Sequence, residues 1–464
     1  MIINKRLLKL ITCTIALQFF IGCAMPPAAF SFSHKKNETG DVTNTQEKLN
    51  FVNICWWCKF KDPYLKDYII KAIEYNHDLK KASWQTEQYR QFVKYSFGQE
   101  LPSFSMQTDY LGFNTPSFIG TDITRNGFIL PFQAQYEADF LLKNRDKTKS
   151  KQEAYKVSKF EEKSAYISIA TDVATTYINI MKYDKDIKLE SEIVCVKKEL
   201  LRRNQHQLQR GVISALVVNQ AERALRTEEN KLYDISKSRQ ESLNQLAVLI
   251  GESPNNSCHL KRITIEQFCY WGQIPDCISS DVIFSRPDVN AAEENLQKSR
   301  IDVRVARKEF FPKFNVTGNY VFNTIGSGNF FSWQSSFATL LAGATQDLFT
   351  GGRKFATLRI QKSIYEQMFE TCLQTNLTAV KEVNDSLFFI KENRKELKNA
   401  TERLIAETDN YERTKAKFSR GVVAVPEVLK EKELYLTDTQ LKLDARTTLL
   451  INYLTLYKAT GGNL

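Results

Sequence analysis

The chain predicts a mainly α fold with a minority of transmembrane β-strands, and three features predict it. First, the run from Arg353 to Arg420 contains no glycine or proline, and Lys143 to Arg210 is a second such run. Charged and apolar side chains alternate along both at helical spacing. At about 1.5 Å per residue each describes a helix on the order of 100 Å long. Second, four stretches of about ten residues alternate apolar and polar side chains with period two. Third, the chain repeats itself. Both long runs stop at Arg-Gly-Val, and Gly211 and Gly421 lie 210 positions apart, as do Pro102 and Pro312, Asp78 and Asp288, and Gly251 and Gly461. The predicted unit is helix, helix, strand, strand, long helix, turn and returning helix, duplicated.

Composition narrows the class. The 464 residues carry a formal charge of +11, but the lysines and arginines are spread along helical segments between acids. That is the pattern of a solvated helical face, so no nucleic-acid partner is expected. Beyond the first two dozen positions no apolar run reaches 18 residues, and no helix is expected to span a bilayer. There are four histidines, none in Cys/His zinc spacing, and no nucleotide loop or catalytic motif. No metal, cofactor or enzymatic activity is expected.

The N-terminus carries an export signal over residues 1–22: Lys5, Arg6 and Lys9, an apolar stretch from Leu10 to Ile21, then Gly22-Cys23. Phe20-Ile21-Gly22-Cys23 resembles the bacterial lipobox, which makes Cys23 the expected point of palmitate attachment. Phe20 departs from the usual leucine, so plain cleavage is the alternative. Leu10-Ile11-Thr12-Cys13 has almost no apolar region before it. Residues 23–50 open with Pro26-Pro27, show no apolar periodicity and read as a polar tether. Of the nine cysteines, Cys55 and Cys58 have C-x-x-C spacing without a βαβ context, which points to a local disulfide or two buried thiols. Cys258, Cys269 and Cys277 cluster where the halves join and could pair.

The first repeat is expected over residues 51–270. Asp62-Pro63 reads as an N-cap with proline at the first helical position, followed by Leu65, Tyr68, Ile69, Ala72 and Ile73 at helical spacing. A second helix runs from about Leu79 to Gly98. Strands follow at about 103–113 and 128–139, then a long helix at about 143–209 and a return helix at about 214–250. In the first strand Phe104, Met106, Thr108 and Tyr110 share one face; in the second, Phe128, Leu130, Phe132, Ala134, Tyr136 and Ala138 do so. An apolar, aromatic face backed by a polar one suits a strand between lipid and a wet lumen. The second repeat, residues 271–464, places strands at about 313–323 and 337–349, the long helix at about 353–419 and the return helix at about 427–460. Leu341 falls among the inward positions of the fourth strand.

Four membrane strands cannot close, and an open edge in lipid leaves backbone groups unsatisfied at a cost of several kcal/mol each. Eight-stranded barrels enclose no channel. Three chains give twelve strands and gather the long helices into a helical barrel, so an oligomer is expected and a homotrimer is its natural form.

Taken in order, the motifs Asp62-Pro63-Tyr64-Leu65, Asn76-His77-Asp78-Leu79, Leu101-Pro102, Tyr136-Glu137-Ala138-Asp139 with Arg145, Arg286-Pro287-Asp288, Phe311-Pro312, Gly351-Gly352-Arg353, Arg420-Gly421 and Leu456-Tyr457-Lys458-Ala459 resemble the TolC family of outer-membrane efflux channels, nearest its OprM-type lipoprotein branch. The resemblance spans Trp57 to Gly462. It implies a trimer with a twelve-stranded β-barrel in outer-membrane lipid, continued by a long periplasmic α-helical barrel. The inner end opens when a periplasmic adaptor protein and an inner-membrane pump of RND, MFS or ABC type engage it. The turns Arg210-Gly211-Val212 and Arg420-Gly421-Val422 then lie at the periplasmic tips, where the family meets its adaptor. Acidic residues ring the family's closed aperture just after the second turn. The matching positions here are Glu427 and Lys430, so one of two acids is replaced by a base, and a Glu427–Lys430 pair along the helix is the bland alternative. After the first turn Val217 stands in the place of Glu427. Where the family usually has glycine after Asp139, this chain has Leu142-Lys143-Asn144, and the bend there is left open.

The expected function is a passive exit duct for drugs or other small molecules in a tripartite efflux system. The exit component of a type I protein-secretion system is the alternative within transport. A periplasmic coiled-coil scaffold explains the helices but not the strands.

Overall fold

A computed structural model describes residues 51–115, 123–275, 277–323 and 336–463. The export signal, Cys23 and the polar tether lie outside the described residues. Among the described residues no helix is long and apolar enough to cross a membrane.

The first elements are a short helix α1 (Ile54–Trp57), a 3-10 turn (Cys58–Phe60), α2 (Pro63–Tyr75) and α3 (His77–Gly98). Asp62 caps α2 with one carboxylate oxygen that accepts from Tyr64 N (2.8 Å) and Leu65 N (3.3 Å), with Pro63 next, where its missing N–H costs nothing. Asn76 caps α3 in the same way, accepting from Asp78 N (2.8 Å) and Leu79 N (3.0 Å). Leu65, Tyr68, Ile69, Ala72 and Ile73 form the buried face of α2.

The strands are β1 (Ser103–Met106), β2 (Asp109–Thr115), β3 (Ile123–Ala138), β4 (Lys313–Asn323) and β5 (Ser336–Thr345). They form one antiparallel sheet in the order β1-β3-β4-β5, with β2 also paired to β3. The expected first strand is therefore interrupted. Its register is unbroken, and the gap falls where Gln107 faces Pro131. Gln107 N donates to Pro131 O at 3.2 Å, but proline has no N–H to return. The fourth strand ends at Thr345 rather than Phe349. Its partner Lys313 is the first residue of β4, and Gln346 instead turns its Nε2 to Phe310 O at 2.9 Å.

The long helices are α4 (Lys143–Gln209) and α8 (Arg353–Ser419), each of 67 residues. The 35-residue helices α5 (Ala215–Leu249) and α9 (Val425–Ala459) follow them. Between the halves lie α6 (Ser280–Phe284) and α7 (Pro287–Lys308). α9 begins two residues earlier than its sequence pattern suggests, because Pro426 is accommodated in its first turn. Among the helices α3 packs against α4, α4 against α7 and α7 against α8, while α4 pairs with α5, α8 with α9, and α4 also meets α9.

The main core lies beside the end of α9. Trp56 stacks on Tyr457 (4.3 Å between centroids) and Phe60 on Phe268 (5.1 Å), which pins the first described residues to the last helix and to the segment joining the halves. The structure decides between readings that the sequence leaves open. Cys58 is an exposed free thiol, and Cys269 and Cys277 are free as well, so neither the C-x-x-C disulfide nor a Cys269–Cys277 bridge exists. The helix charges are not all solvated either. Lys143, Asp146, Asp186, Glu190 and Asp438 are buried.

Candidate functional site

The duct expected from the sequence would need a wall, joints that hold it, and an end that can open. The register shows how the wall is made. Phe132, Ala134 and Tyr136 on β3 lie beside Tyr320, Gly318 and Val316 on β4, which lie beside Ala338, Leu340 and Ala342 on β5. Phe104 and Met106 of β1 join them opposite Ala134 and Phe132. One face of the sheet is thus apolar and aromatic across all pairings. The other carries Ser103, Ser105, Gln133, Gln135, Asn315, Thr317, Asn319 and Thr339. Leu341 pairs with Thr317, so it falls on this polar face, as its sequence position indicates.

The joints use residues of the sequence motifs, some in roles the sequence did not disclose. Asn76 Nδ2 donates to Leu249 O at 2.8 Å, and Arg286 Nη1 donates to Ala459 O at 2.8 Å. Both donors and both carbonyls lie 210 positions apart, so each half ties the end of its return helix to the N-cap of the helix that precedes its strands, α3 in one and α7 in the other. Arg286 also bonds Asp288 (2.6 Å) and Glu382 (2.7 Å). Asp184 of α4 is held between Arg239 of α5 (2.6 Å) and Arg262 of the joining segment. Burial opposes its ionisation, but the two guanidinium groups prevail and keep its carboxyl below the ordinary aspartate range.

At the top of α4, Asp139 accepts three backbone N–H bonds, from Lys143 (2.6 Å), Asn144 (2.7 Å) and Arg145 (3.1 Å). A carboxylate at a helix N-terminus satisfies its orphan donors and its positive dipole end together. Leu142 takes the bend with φ 56° and ψ 36°, a left-handed conformation that glycine would adopt freely. Lys143 is buried against Glu137 at 2.8 Å.

The two turns are built alike. Arg210 and Arg420 close α4 and α8, and Gly211 and Gly421 follow at φ +70° and +73°. Val212 N donates to Gln207 O (2.9 Å) and Val422 N to Lys417 O (3.0 Å), which ends each helix in a left-handed cap that favours glycine. A Cβ at either glycine would meet nothing within 4 Å. The backbone, not crowding, demands glycine. All six turn residues are exposed, Val212 and Val422 about 70% so.

Beyond the second turn, Glu427 and Lys430 are exposed on the first turns of α9. They do not form the pair that their spacing allows: among the described residues neither has an ion-pair partner. Val217 holds the corresponding exposed position on α5. The described residues contain no cluster of three or more metal-ligating side chains.

A strand wall with one apolar and one polar face, continued by paired helices of this length that reverse at exposed glycine turns, defines a membrane duct with a long helical extension. The chain belongs to the outer membrane efflux protein family, whose model matches residues 69–252 and 278–462. It is similar to the cation efflux system protein CusC of Escherichia coli K12, 23% identical over 95% of this chain and 94% of the relative. It is also similar to the probable outer membrane lipoprotein SilC of Salmonella typhimurium, 21% identical over 94% of this chain and 93% of that one. The crystal structure of the CmeC outer membrane channel of Campylobacter jejuni superposes with a TM-score of 0.81 at 22% identity, covering 89% of each chain. The protein is an outer-membrane efflux channel.

Proposed function

We propose that three copies of this chain close one twelve-stranded barrel in the outer membrane and one periplasmic helical barrel below it, and that the assembly passes small molecules outward without an energy source of its own. The exposed apolar surface of α8 carries this reading. Phe355, Leu377 and Phe388 are each more than half exposed, and Phe369 and Leu373 lie on the same helix face and continue the stripe. A stripe of that kind on one helix calls for a partner helix. Among the described residues the outer edges of the sheet, β1 with β2 on one side and β5 on the other, are unpaired and call for a partner strand. A second copy answers both.

In this reading the two glycine turns face a periplasmic adaptor, which links the duct to an inner-membrane pump. Cys23 carries the lipid that holds the tether in the membrane, as the lipobox-like Phe20-Ile21-Gly22-Cys23 indicates. Glu427 from three copies forms an anionic ring at the aperture, and Lys430, three positions further along the same helix, offsets part of its preference for cations. Exposed, unpaired charges at the start of α9 support that assignment. The test is single-channel recording in planar bilayers with Glu427→Ala. Conductance or cation preference is expected to change severalfold. If both stay at wild-type values, Glu427 does not line the constriction.

A further inference from the structure

The formal charge of +11 is not spread evenly along the chain. Four segments join the sheet to the helices: 88–102, 139–153, 298–312 and 346–363. Each comprises three turns of α3, α4, α7 or α8 with the residues that link that helix to a strand. Together they hold sixteen lysines and arginines against seven acids, a net +9 in 63 residues, so the other 401 share +2. Three helical turns rise about 16 Å. The excess is thus confined to a collar of about that depth beside the end of the sheet.

Most acids of the collar are already committed. Asp139 caps α4, Asp146 holds Lys308 and Arg304, and Glu153 holds Lys156 at 2.6 Å. Asp302 holds Lys298 at 3.0 Å, Asp347 holds Lys354 at 3.2 Å, and Glu309 lies 3.7 Å from Lys147. What they leave is a set of exposed cations: Lys94, Arg145, Lys149, Arg300, Arg307 and Arg359, none of which has an ion-pair partner among the described residues. Arg145 and Lys149 stand four positions apart on α4, and Arg300 and Arg307 seven apart on α7, so each pair shares one helix face. Like charges so placed repel one another, and an anionic partner relieves that.

The same segments expose apolar side chains where they meet the strands. Phe140 is 74% exposed and Phe311 53%, and Leu141 is exposed beside them. The Phe140 ring meets Phe314 edge-on at 5.2 Å, and Phe314 stands two residues before Val316 on the apolar face of the sheet. The lipid-facing surface therefore continues past the last strand residue and ends at the collar. Apolar surface followed by cations matches an amphiphile with an anionic head. A free anion would leave Phe140, Leu141 and Phe311 uncovered.

We infer that the collar binds anionic phospholipid of the periplasmic leaflet, with acyl chains on Phe140, Leu141 and Phe311 and the headgroup phosphate among Arg145, Lys149, Arg300 and Arg307. The inference rests on the outer-membrane placement of the sheet with its helices on the periplasmic side, and needs no particular number of copies. Each cation near an anionic leaflet adds to the attraction, which decays within a Debye length. The collar also fixes the depth of the sheet. Sliding one way takes the phenylalanines out of hydrocarbon, and sliding the other draws the cations into it.

The test measures binding of pyrene-labelled phosphatidylglycerol and phosphatidylcholine to the full-length protein in detergent by energy transfer from tryptophan. The wild type is expected to prefer phosphatidylglycerol by about tenfold or more at low ionic strength, and to lose most of that preference at about 1 M salt, where the Debye length is about 3 Å. Replacing the four cations together (Arg145→Gln, Lys149→Gln, Arg300→Gln and Arg307→Gln) is expected to bring the two lipids within about twofold of each other. If circular dichroism shows that this variant does not fold, the two pairwise variants, one on each helix, are each expected to lose part of the preference. Equal binding of both lipids by the wild type, or full preference in the folded variants, overturns the collar and leaves the duct intact. A variant whose lipid preference is unchanged but whose anion-to-cation preference shifts in phosphatidylcholine bilayers has these cations in the lumen, and that also overturns the collar. A wild type that shows the tenfold lipid preference but conducts in no bilayer upholds the collar and contradicts the duct.

Discussion

α4 and α8 have the same length and equivalent places in the two halves, yet 25 residues of α4 are buried in the single chain and five of α8. Their upper junctions differ in the same sense. α4 starts from Asp139, which clamps three backbone N–H groups, and Asp146 in its first turn is bonded by Lys308 (2.7 Å) and Arg304 (3.2 Å) of α7. α8 starts from Gly351 and Gly352 at φ 59° and 79°, without a side-chain cap, next to Leu348 and Phe349, which are 94% and 90% exposed. One half is finished within the chain. The other leaves its apolar side and its junction uncovered, which is what the proposed ring of copies would cover.

The largest effect is expected where that contrast is sharpest. Phe369→Glu with Leu377→Glu places two charges in the stripe that a second copy is proposed to cover. Burying unpaired charge costs several kcal/mol, so assembly should fall by more than tenfold in sedimentation while helix content by circular dichroism stays near wild type. An assembly that survives both charges breaks the comparison, because α8 would then not be an interface.

A smaller effect is expected at the finished junction. Asp139→Ala leaves three N–H groups at the α4 terminus without their acceptor, and a loss of about 2 kcal/mol should appear in denaturant unfolding. Truncating Asp347 near α8, whose carboxylate meets Lys354 at 3.2 Å on a largely exposed rim, should cost less than about 1 kcal/mol. Equal losses at the two sites would erase the distinction between the junctions.

The smallest effect has the opposite sign. Leu142 bends in the left-handed region where Gly352 stands in the second half. Leu142→Gly should relieve about 1 kcal/mol of backbone strain, part of which is returned through the greater freedom of glycine in the unfolded chain. A net loss above about 1 kcal/mol would mean that the Leu142 side chain contributes packing at the junction.

Much of this fold was legible in the sequence, for reasons that are local. Long runs without glycine or proline leave no place for a helix to stop, and period-two alternation fixes which face of a strand meets lipid. Arg210-Gly211 and Arg420-Gly421 were readable because a helix reversal needs positive φ. What was not legible depends on partners. Pro131 interrupts the first strand only because Gln107 lies across from it, and β5 ends at Thr345 because β4 begins at Lys313. The Asp139 clamp is a motif residue whose role appears only once the chain bends back on it. The buried acids were the most hidden. On a helix with charge at every turn, nothing in the sequence separates Glu190, which faces two other helices, from an acid that faces water.

The most direct test of the account is electron microscopy of particles extracted in detergent from outer-membrane fractions. A three-fold particle with a barrel at one end and a long tube at the other, in which the α8 stripe of each copy is covered by its neighbour, is the result the account predicts. Elongated single chains or two-fold pairs with α8 still exposed would contradict it, since neither the apolar stripe nor the open sheet edges would then have an occupant.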